Sequence, residues 1–313
     1  MPVQNIIPGQ TLNLRFTPAQ LMLLAGVMGG MPPGNVYFVD SGATNAADNA
    51  GAGTRTQPFA TINWPMSNAN SPVTANQGDV LLVHPRHAET ITAAGGINLN
   101  RAGAFVLNMA LGLGQDKPLI SFTTATTADL DVNAANITLA GFDISLVGID
   151  ALAAPIDVNA AGFGFYNNRV VGADATNQAV LAMLTDANAS RMKVKGNLFT
   201  GTSDAGMTAA IRLVGGSEIE IEENIFIGAY TAGVGAIENI TTAVTWLQIL
   251  RNSIQNLTAA NTKAIVAIAG TTGQIAENKM QILSGLAPIT AAGMSWVGGN
   301  YYANVVATAG TLI

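Results

Sequence analysis

Aspartate side chains are the residues of this chain best suited to acid–base chemistry. The candidates are Asp129, Asp131, Asp143, Asp150 and Asp157. Two carboxyl groups that flank a sugar linkage, one protonated and one ionised, can hydrolyse a glycosidic bond. Asp131 and Asp157 are expected to meet if the strands that carry them are stacked. The alternative, which the sequence favours, is that all five are ordinary surface and turn carboxylates.

Three glutamates alternate along the chain at Glu218, Glu220 and Glu222. Carboxylate oxygens are the ligands that hard cations prefer, so a metal site is one interpretation. The other is a ladder of ion pairs, because alignment of the surrounding segments as repeats places Lys193 beside Glu220 and Lys195 beside Glu222. Opposite charges on adjacent strands stabilise a sheet, and like charges destabilise it. We therefore predict ion pairs here and no metal.

A second candidate metal site contains both histidines, His84 and His87, with Glu89 close by. No further ligand occurs at a recognisable spacing. The absence of cysteine excludes disulfides, zinc–thiolate sites, iron–sulfur clusters and thiol catalysis. The chain also lacks a serine nucleophile elbow and a phosphate-binding loop, and Gly51 and Gly53 precede no predicted helix. The sequence thus predicts no catalytic residue, no metal and no cofactor.

Aromatic side chains are the remaining candidates, since their rings can stack on sugars. They are Trp64, Trp246, Trp296, Tyr301 and Tyr302. The last three lie near the C-terminus and the others are dispersed. Three roles for this C-terminal cluster stay open: it caps the end of the domain, it contacts a partner, or it binds a glycan.

The composition indicates what kind of protein positions these residues. Charged residues are 10% of the 313, against about 25% in an average globular domain, and mean hydropathy is +0.34. A disordered chain has the opposite composition. With 13 Lys and Arg against 19 Asp and Glu, the net charge of −6 argues against a nucleic-acid partner.

Membrane insertion and secretion are not expected. The longest apolar stretch, Leu21–Met31, is too short to span a bilayer. The opening residues lack a basic n-region, so we expect no secretory signal. Hydrophobic side chains must therefore be buried inside the protein or against partners.

Residues 1–34 differ from the rest and are predicted to form an arm or cap outside the main body. Thr17-Pro18 is typical of a helix start, and Ala19–Met28 is long enough for a short helix. Met31-Pro-Pro-Gly34 then ends that helix. This segment either plugs one end of the main domain or docks onto a partner.

Asparagine recurs in the second half of the chain, inside the pattern apolar-x-apolar-x-x-Asn-x-apolar. The repeat positions are Phe142, in place of a first asparagine, and then Asn168, Asn197, Asn224, Asn252, Asn278 and Asn300, which are 22 to 29 residues apart by their numbers. Two-helix units need about 33 residues or more, whereas alternation with period two is typical of strands with one buried face. The spacing predicts coils of two or three short strands, stacked at roughly 4.8 Å.

The repeated asparagines are predicted to form the bends of these coils. Asparagine tolerates left-handed backbone and can hydrogen-bond to its own chain, and stacked asparagine side chains can satisfy one another. The residues one position before three of them alternate in sign: Glu223, Arg251 and Glu277. The residues four positions after three of them are glycines, where a turn would need them: Gly172, Gly201 and Gly228.

A distinct order of segments begins at residue 36. It runs from the apolar strand Val36-Tyr-Phe-Val-Asp40 through a loop rich in Gly, Asn and Asp to Pro58-Phe-Ala-Thr-Ile62, and then to Gly78-Asp-Val-Leu-Leu-Val83 with a proline shortly after. This order resembles the first turns of right-handed parallel β-helix proteins of the pectate-lyase-like kind, which also occur among tailed-phage virion proteins. The resemblance implies an all-β fold: a single-stranded right-handed parallel β-helix (a solenoid) over residues 35–313, preceded by the arm or cap over residues 1–34.

The resemblance fixes the architecture better than the activity. β-Helices of this kind are often polysaccharide lyases, glycosidases or esterases, and for a lyase it implies an Asp-rich calcium cluster near an Arg or Lys base. The Asp-Asp, Asn-Thr-Asp and Gly-His-Gly sequences of pectin-hydrolysing members are absent from this chain. This absence favours a non-enzymatic role.

The main functional hypothesis is therefore a non-enzymatic structural protein of a tailed-phage virion. A nearly uncharged surface suits protein contacts better than free solution, and phage head-decoration, head-fibre and tail proteins include β-helices with an N-terminal attachment segment. The hypothesis predicts a capsid decoration (cement) protein on the virion surface, homo-oligomeric and by analogy trimeric. Its N-terminal arm would bind the major capsid protein or another virion protein. The alternatives are a tailspike-like polysaccharide lyase or glycosidase, and a glycan-binding surface adhesin.

Overall fold

The computed structural model describes residues 3–7, 10–14, 34–110, 116–201, 206–231, 234–258, 263–283 and 287–304. Over residues 34–304 of this part the chain forms a right-handed parallel β-helix, as the resemblance implied. Three parallel sheets, here called A, B and C, run along its length. The described residues contain one helix, α1 (Asn63–Ser67).

Strands are numbered along the chain. Sheet A contains β3 (Val36–Val39), β4 (Val80–Val83), β7 (Phe105–Asn108), β10 (Thr138–Ala140), β13 (Gly164–Tyr166), β16 (Lys193–Lys195), β19 (Glu220–Glu222), β22 (Leu247–Leu250), β25 (Gly273–Ala276) and β28 (Trp296–Gly298). Sheet B contains β5 (Ala88–Ile91), β8 (Leu119–Phe122), β11 (Asp143–Ser145), β14 (Arg169–Val171), β17 (Leu198–Thr200), β20 (Ile225–Gly228), β23 (Ser253–Asn256), β26 (Lys279–Ile282) and β29 (Tyr301–Asn304). Sheet C contains β6 (Ile97–Leu99), β9 (Leu130–Val132), β12 (Ile156–Val158), β15 (Leu181–Thr185), β18 (Ala209–Leu213), β21 (Ile237–Asn239), β24 (Ile265–Ala267) and β27 (Ile289–Ala291).

Each coil of the solenoid passes through A, B and C in turn. Sheet C has eight strands in the described residues, so the chain completes this circuit eight times. Every strand pairs in parallel with the equivalent strand one coil away, as β16 does with β19. The sequence allowed two or three strands per coil, and the structure has three.

The core lies inside the coil because alternate residues of each short strand point inward. Val194 stacks on Ile221 in sheet A, and Phe199 stacks on Phe226 in sheet B. The rings of the two phenylalanines lie 4.9 Å apart and 9° from parallel. That distance is close to the separation of neighbouring strands, about 4.8 Å, so identical residues in successive coils stack ring on ring.

A second apolar cluster lies on the outer side of sheet A at its N-terminal end. It consists of the residues that alternate with the inward-facing ones on the first strands, and its buried members are Val36, Phe38, Val80, Leu82, Leu107 and Ala140. Phe105, Met109 and Tyr166 pack against it and are half-buried. The first strands are therefore apolar on both faces, which is typical of strands covered on both sides.

The repeated asparagines form a buried ladder at the corner between sheets A and B, as predicted. Each Oδ1 accepts hydrogen bonds from the backbone N–H and the Nδ2 of the asparagine one coil earlier. Between Asn197 and Asn224 both distances are 2.9 Å. The same pattern, at 2.9 to 3.2 Å, runs from Asn168 to Asn300.

The position predicted for the left-handed backbone in these bends is wrong by one residue. The left-handed conformation lies at the position before each asparagine, for example at Glu223 (φ 54°) and Arg251 (φ 55°). The asparagine that follows it directs its amide into the ladder instead. Nor do the predicted turn glycines have positive φ. At Gly172, the side chain of Met207 occupies the space that a Cβ would need, with Sδ 2.2 Å from the Cβ position.

The N-terminal arm is described only in part. Strands β1 (Val3–Ile7) and β2 (Gln10–Leu14) pair antiparallel and form a two-stranded sheet that is separate from A, B and C. The short helix predicted over Ala19–Met28 lies outside the described residues. Where the structure is described, it contains no helix long and apolar enough to cross a membrane.

Candidate functional site

The structure stacks two of the candidate aspartates on the outer face of sheet C. Asp131 of β9 pairs in register with Asp157 of β12, as expected from stacked strands. Asp129 lies two residues before Asp131 and accepts a hydrogen bond from the backbone N–H of Gly95. We call Asp129, Asp131 and Asp157 the aspartate stack.

Burial and mutual repulsion change the acidity of the aspartate stack. The pKa of Asp131 is raised from 3.8 to about 6, first by burial and then by the charges of Asp129 and Asp157. The pKa of Asp157 is also raised, mainly by burial, although a hydrogen bond from Asn159 opposes the change. A carboxyl group whose pKa is raised in this way is protonated in mildly acidic solution and can then donate a proton.

The other two candidate aspartates lie apart from the stack. Asp143 is on sheet B, where its Oδ2 lies 3.6 Å from Nη1 of Arg169 in the next coil. Asp150 lies between β11 and β12 and accepts a hydrogen bond from the backbone N–H of Gln178 at 3.2 Å. Both contacts are typical of structural carboxylates.

The predicted ion-pair ladder on sheet A is confirmed. Lys193 Nζ lies 2.9 Å from Glu220 Oε2, and Lys195 Nζ lies 3.5 Å from Glu222 Oε2. Arg251 extends the ladder by one coil, because its Nη2 lies 3.0 Å from Glu222 Oε2. The strand is shorter than predicted, because Glu218 precedes it in a left-handed conformation (φ 56°) and is exposed.

The two histidines have different surroundings. His87 is buried, and its Nδ1 accepts a hydrogen bond from the Ser41 backbone N–H at 3.0 Å. Its Nε2 must therefore carry the proton, which it donates to Glu89 Oε2 at 3.1 Å. Glu89 also accepts the backbone N–H of Ile62 at 2.7 Å. This network fixes the loop after β3 and the start of α1 against β5.

His84 lies at the edge of a cavity that sequence reasoning missed. Asp40 and Arg86 line the same cavity, of ≈ 680 Å³, and Arg86 Nη2 donates to Asp40 Oδ2 at 2.7 Å. The missed signal was the register of β3 with β4. Val39 pairs with Val83, so the residues that follow them, Asp40 and His84, are neighbours.

Metal ligands do not converge in the described residues. No group of three or more His, Asp or Glu side chains there has a geometry that could hold an ion. The aspartate stack is not such a group, and Asp157 accepts a hydrogen bond from the amide of Asn159.

The aromatic candidates are dispersed over different faces. Trp64 packs against Phe59, with ring centroids 5.3 Å apart, and belongs to the edge of the core. Trp296 is on sheet A, whereas Tyr301 is on sheet B, so the predicted C-terminal cluster is divided. Tyr302 occupies the inward position above Met280 and covers the last described coil. Tyr301 is 71% exposed and borders a shallow groove of ≈ 450 Å³.

Comparison with known proteins gives one distant similarity. No protein-family model and no curated protein matches the chain. Among solved structures, the chain is similar to a rhamnogalacturonan lyase, with a TM-score of 0.39 and 14% sequence identity, over 79% of this chain and 68% of that chain. No residue role is carried over from that similarity.

Proposed function

We propose that this chain is a non-enzymatic structural protein of a tailed-phage virion, and specifically a capsid decoration protein attached through residues 1–34. The observation that carries the proposal is the division of the chain into two parts. The β1–β2 hairpin forms a sheet of its own, and the three solenoid sheets begin only at Val36. An attachment segment that forms its own sheet, separate from the sheets of the body, suits such a role.

The surface of the solenoid supports this proposal. Charged residues are only 10% of the chain, and several of them neutralise one another in the ladder of Lys193, Lys195, Glu220 and Glu222. Few charges therefore remain to keep a free monomer soluble. A surface of this kind suits permanent contacts, and we propose a homo-oligomer, by analogy a trimer, on the outside of the capsid.

Deletion of the arm tests the attachment. A variant that lacks residues 2–33 should retain the β-rich circular dichroism spectrum, because the core cluster that contains Val194 and Phe199 lies inside the coil. It should no longer co-sediment with purified particles stripped of this protein, whereas the full chain should rebind. A folded variant that still binds the particles would contradict the proposal.

A carboxylate-based polysaccharide-degrading enzyme is the second candidate, and the aspartate stack is the observation that favours it. Asp131, with its pKa raised to about 6, would act as the acid and Asp157 as the base or nucleophile. Against it, neither the cavity at Asp40 nor the groove at Tyr301 contains a member of the stack, and sugar-cleaving sites are normally clefts. Polysaccharide cleavage by the native chain, abolished in folded Asp131→Asn and Asp157→Asn variants, would favour the enzyme.

A further inference from the structure

The cavity beside Asp40 has an apolar floor and a polar rim. The half-buried Met109 forms most of the floor, and Phe38 and Leu82, buried members of the outer cluster on sheet A, line it with the 5% and 2% of their surface that is exposed. Arg55, His84 and Arg86 lie on the rim. The volume of ≈ 680 Å³ is within the range of small-molecule sites, about 300–1,000 Å³.

The charges around this cavity do not balance. Asp40 is the only carboxylate among its described lining residues. Arg86 engages it from two nitrogens, with Nε 3.1 Å from both oxygens and Nη2 2.7 Å from one of them. Asp40 and Arg86 thus neutralise each other. Arg55 is exposed and has no ion pair among the described residues, so it adds an uncompensated positive charge.

His84 adds a neutral donor to the same rim. Its Nδ1 accepts a hydrogen bond from the backbone N–H of Arg86 at 3.2 Å, so Nε2 carries the proton. In the part of the chain that the structure describes, no acceptor is bonded to that Nε2–H. The rim therefore offers a guanidinium and an imidazole N–H but no free acceptor carboxylate.

We propose that this cavity binds a small amphiphilic anion: an apolar ring or short acyl chain that carries a carboxylate, sulfonate or phosphate group. The apolar part lies on Phe38, Leu82 and Met109, and the anionic group is bound by Arg55 and His84. A protein with a net charge of −6 repels anions in general. Only a site with a local excess of donors, such as this one, retains them. This inference does not depend on the proposed virion role.

Two related dyes test the site on the full chain. 8-Anilinonaphthalene-1-sulfonate has an apolar body and an anionic group, and N-phenyl-1-naphthylamine has the same body without the charge. The sulfonate dye should bind at one saturable site and more tightly than the neutral dye. Arg55→Gln should weaken binding of the sulfonate dye by about tenfold, as expected for loss of a charge-assisted hydrogen bond. It should leave the neutral dye unaffected.

Arg191→Gln is the matched control, because Arg191 is also exposed and without an ion pair in the described residues but lies outside the cavity. It should not change the affinity for either dye. Met109→Trp, at a half-buried position, should fill the cavity and reduce the binding of both dyes while the circular dichroism spectrum is retained. The proposal would be overturned if the two dyes bound with equal affinity or if the two arginine variants had equal effects. It would also be overturned if no saturable binding occurred at about 1 mM dye.

Discussion

At the scale of the residue, the fold depends on buried asparagines whose amides have no contact with water. Asn224 is 1% exposed, and its Nδ2 donates to Val194 O at 2.9 Å and to Asn252 Oδ1 at 3.0 Å. Its Oδ1 accepts two hydrogen bonds from Asn197. All polar atoms of this side chain are satisfied, as buried groups must be.

Asn224→Ala should therefore destabilise the protein by about 3 kcal/mol, because it leaves Asn197, Val194 and Asn252 with unsatisfied buried groups. Urea unfolding followed by circular dichroism measures the change. Asn133→Ala is the control, since Asn133 is exposed and belongs to a surface ladder with Asn98 and Asn159. The control should cost about 0.5 kcal/mol or less. Equal losses for the two variants would contradict the role of the buried ladder.

The aspartate stack predicts how stability depends on pH. In the folded state the pKa of Asp131 is raised from 3.8 to about 6, so the folded protein binds a proton that the unfolded chain releases. The contribution of Asp131 to stability should therefore be most favourable below about pH 4, and it is lost as the pH rises to about 6. Asp131→Asn should be more stable than the native chain above pH 6 and not below pH 4.

Thermal unfolding of both proteins across this pH range measures the effect. Asp150→Asn, which changes a carboxylate outside the stack, should leave the pH dependence as in the native chain. An Asp131→Asn variant with an unchanged pH profile would show that the stack carries no such repulsion.

At the scale of the element, sequence reasoning succeeded where contacts follow from repeat alignment. Parallel strands in register place equivalent residues side by side, so the pair Lys193–Glu220 follows from the repeat alignment. Asp131 was expected to meet Asp157 only if the strands that carry them are stacked, and they are. It failed where long loops meet strands. The pairing of Asp40 with Arg86 spans 46 residues and depends on the register of β3 with β4, two strands that are separated by a long loop. Helix α1, which lies in that loop, was not predicted.

The left-handed corner was misassigned for a different reason. Asparagine is a good residue for left-handed backbone and also a good one for a buried amide ladder, and its sequence pattern is the same in both cases. The structure places the ladder at Asn224 and the left-handed backbone at Glu223. Propensity alone could not distinguish these two neighbours.

Reversal of one pair in the sheet A ladder tests the register of the strands. Glu220→Lys places a second cation beside Lys193 and should destabilise the protein by about 1 kcal/mol at low salt. The double variant Lys193→Glu with Glu220→Lys should recover most of this loss, because the next strand offers the neutral Gln248 at that position. The loss of stability caused by Glu220→Lys should be smaller in 1 M NaCl, because the Debye length is then only about 3 Å. Failure of the double variant to recover stability would contradict the pairing.

At the scale of the whole molecule, the solenoid and the arm have different tasks. The solenoid is held by contacts one coil apart, and its core extends from Tyr37 to Ile282. The stability of such a body is approximately the sum of the contributions of its coils and of the contacts between neighbouring coils. Attachment to a particle, in contrast, depends on the surface of a partner, and it is therefore tested on particles.

The most direct measurement is immunogold electron microscopy of purified particles from the source of this protein, with mass spectrometry of the same particles. We predict label over the heads and recovery of the chain as a virion component. Label on tail tips would contradict capsid decoration and favour the carboxylate-based enzyme or a receptor-binding role. The absence of both label and peptides would contradict the virion proposal as a whole.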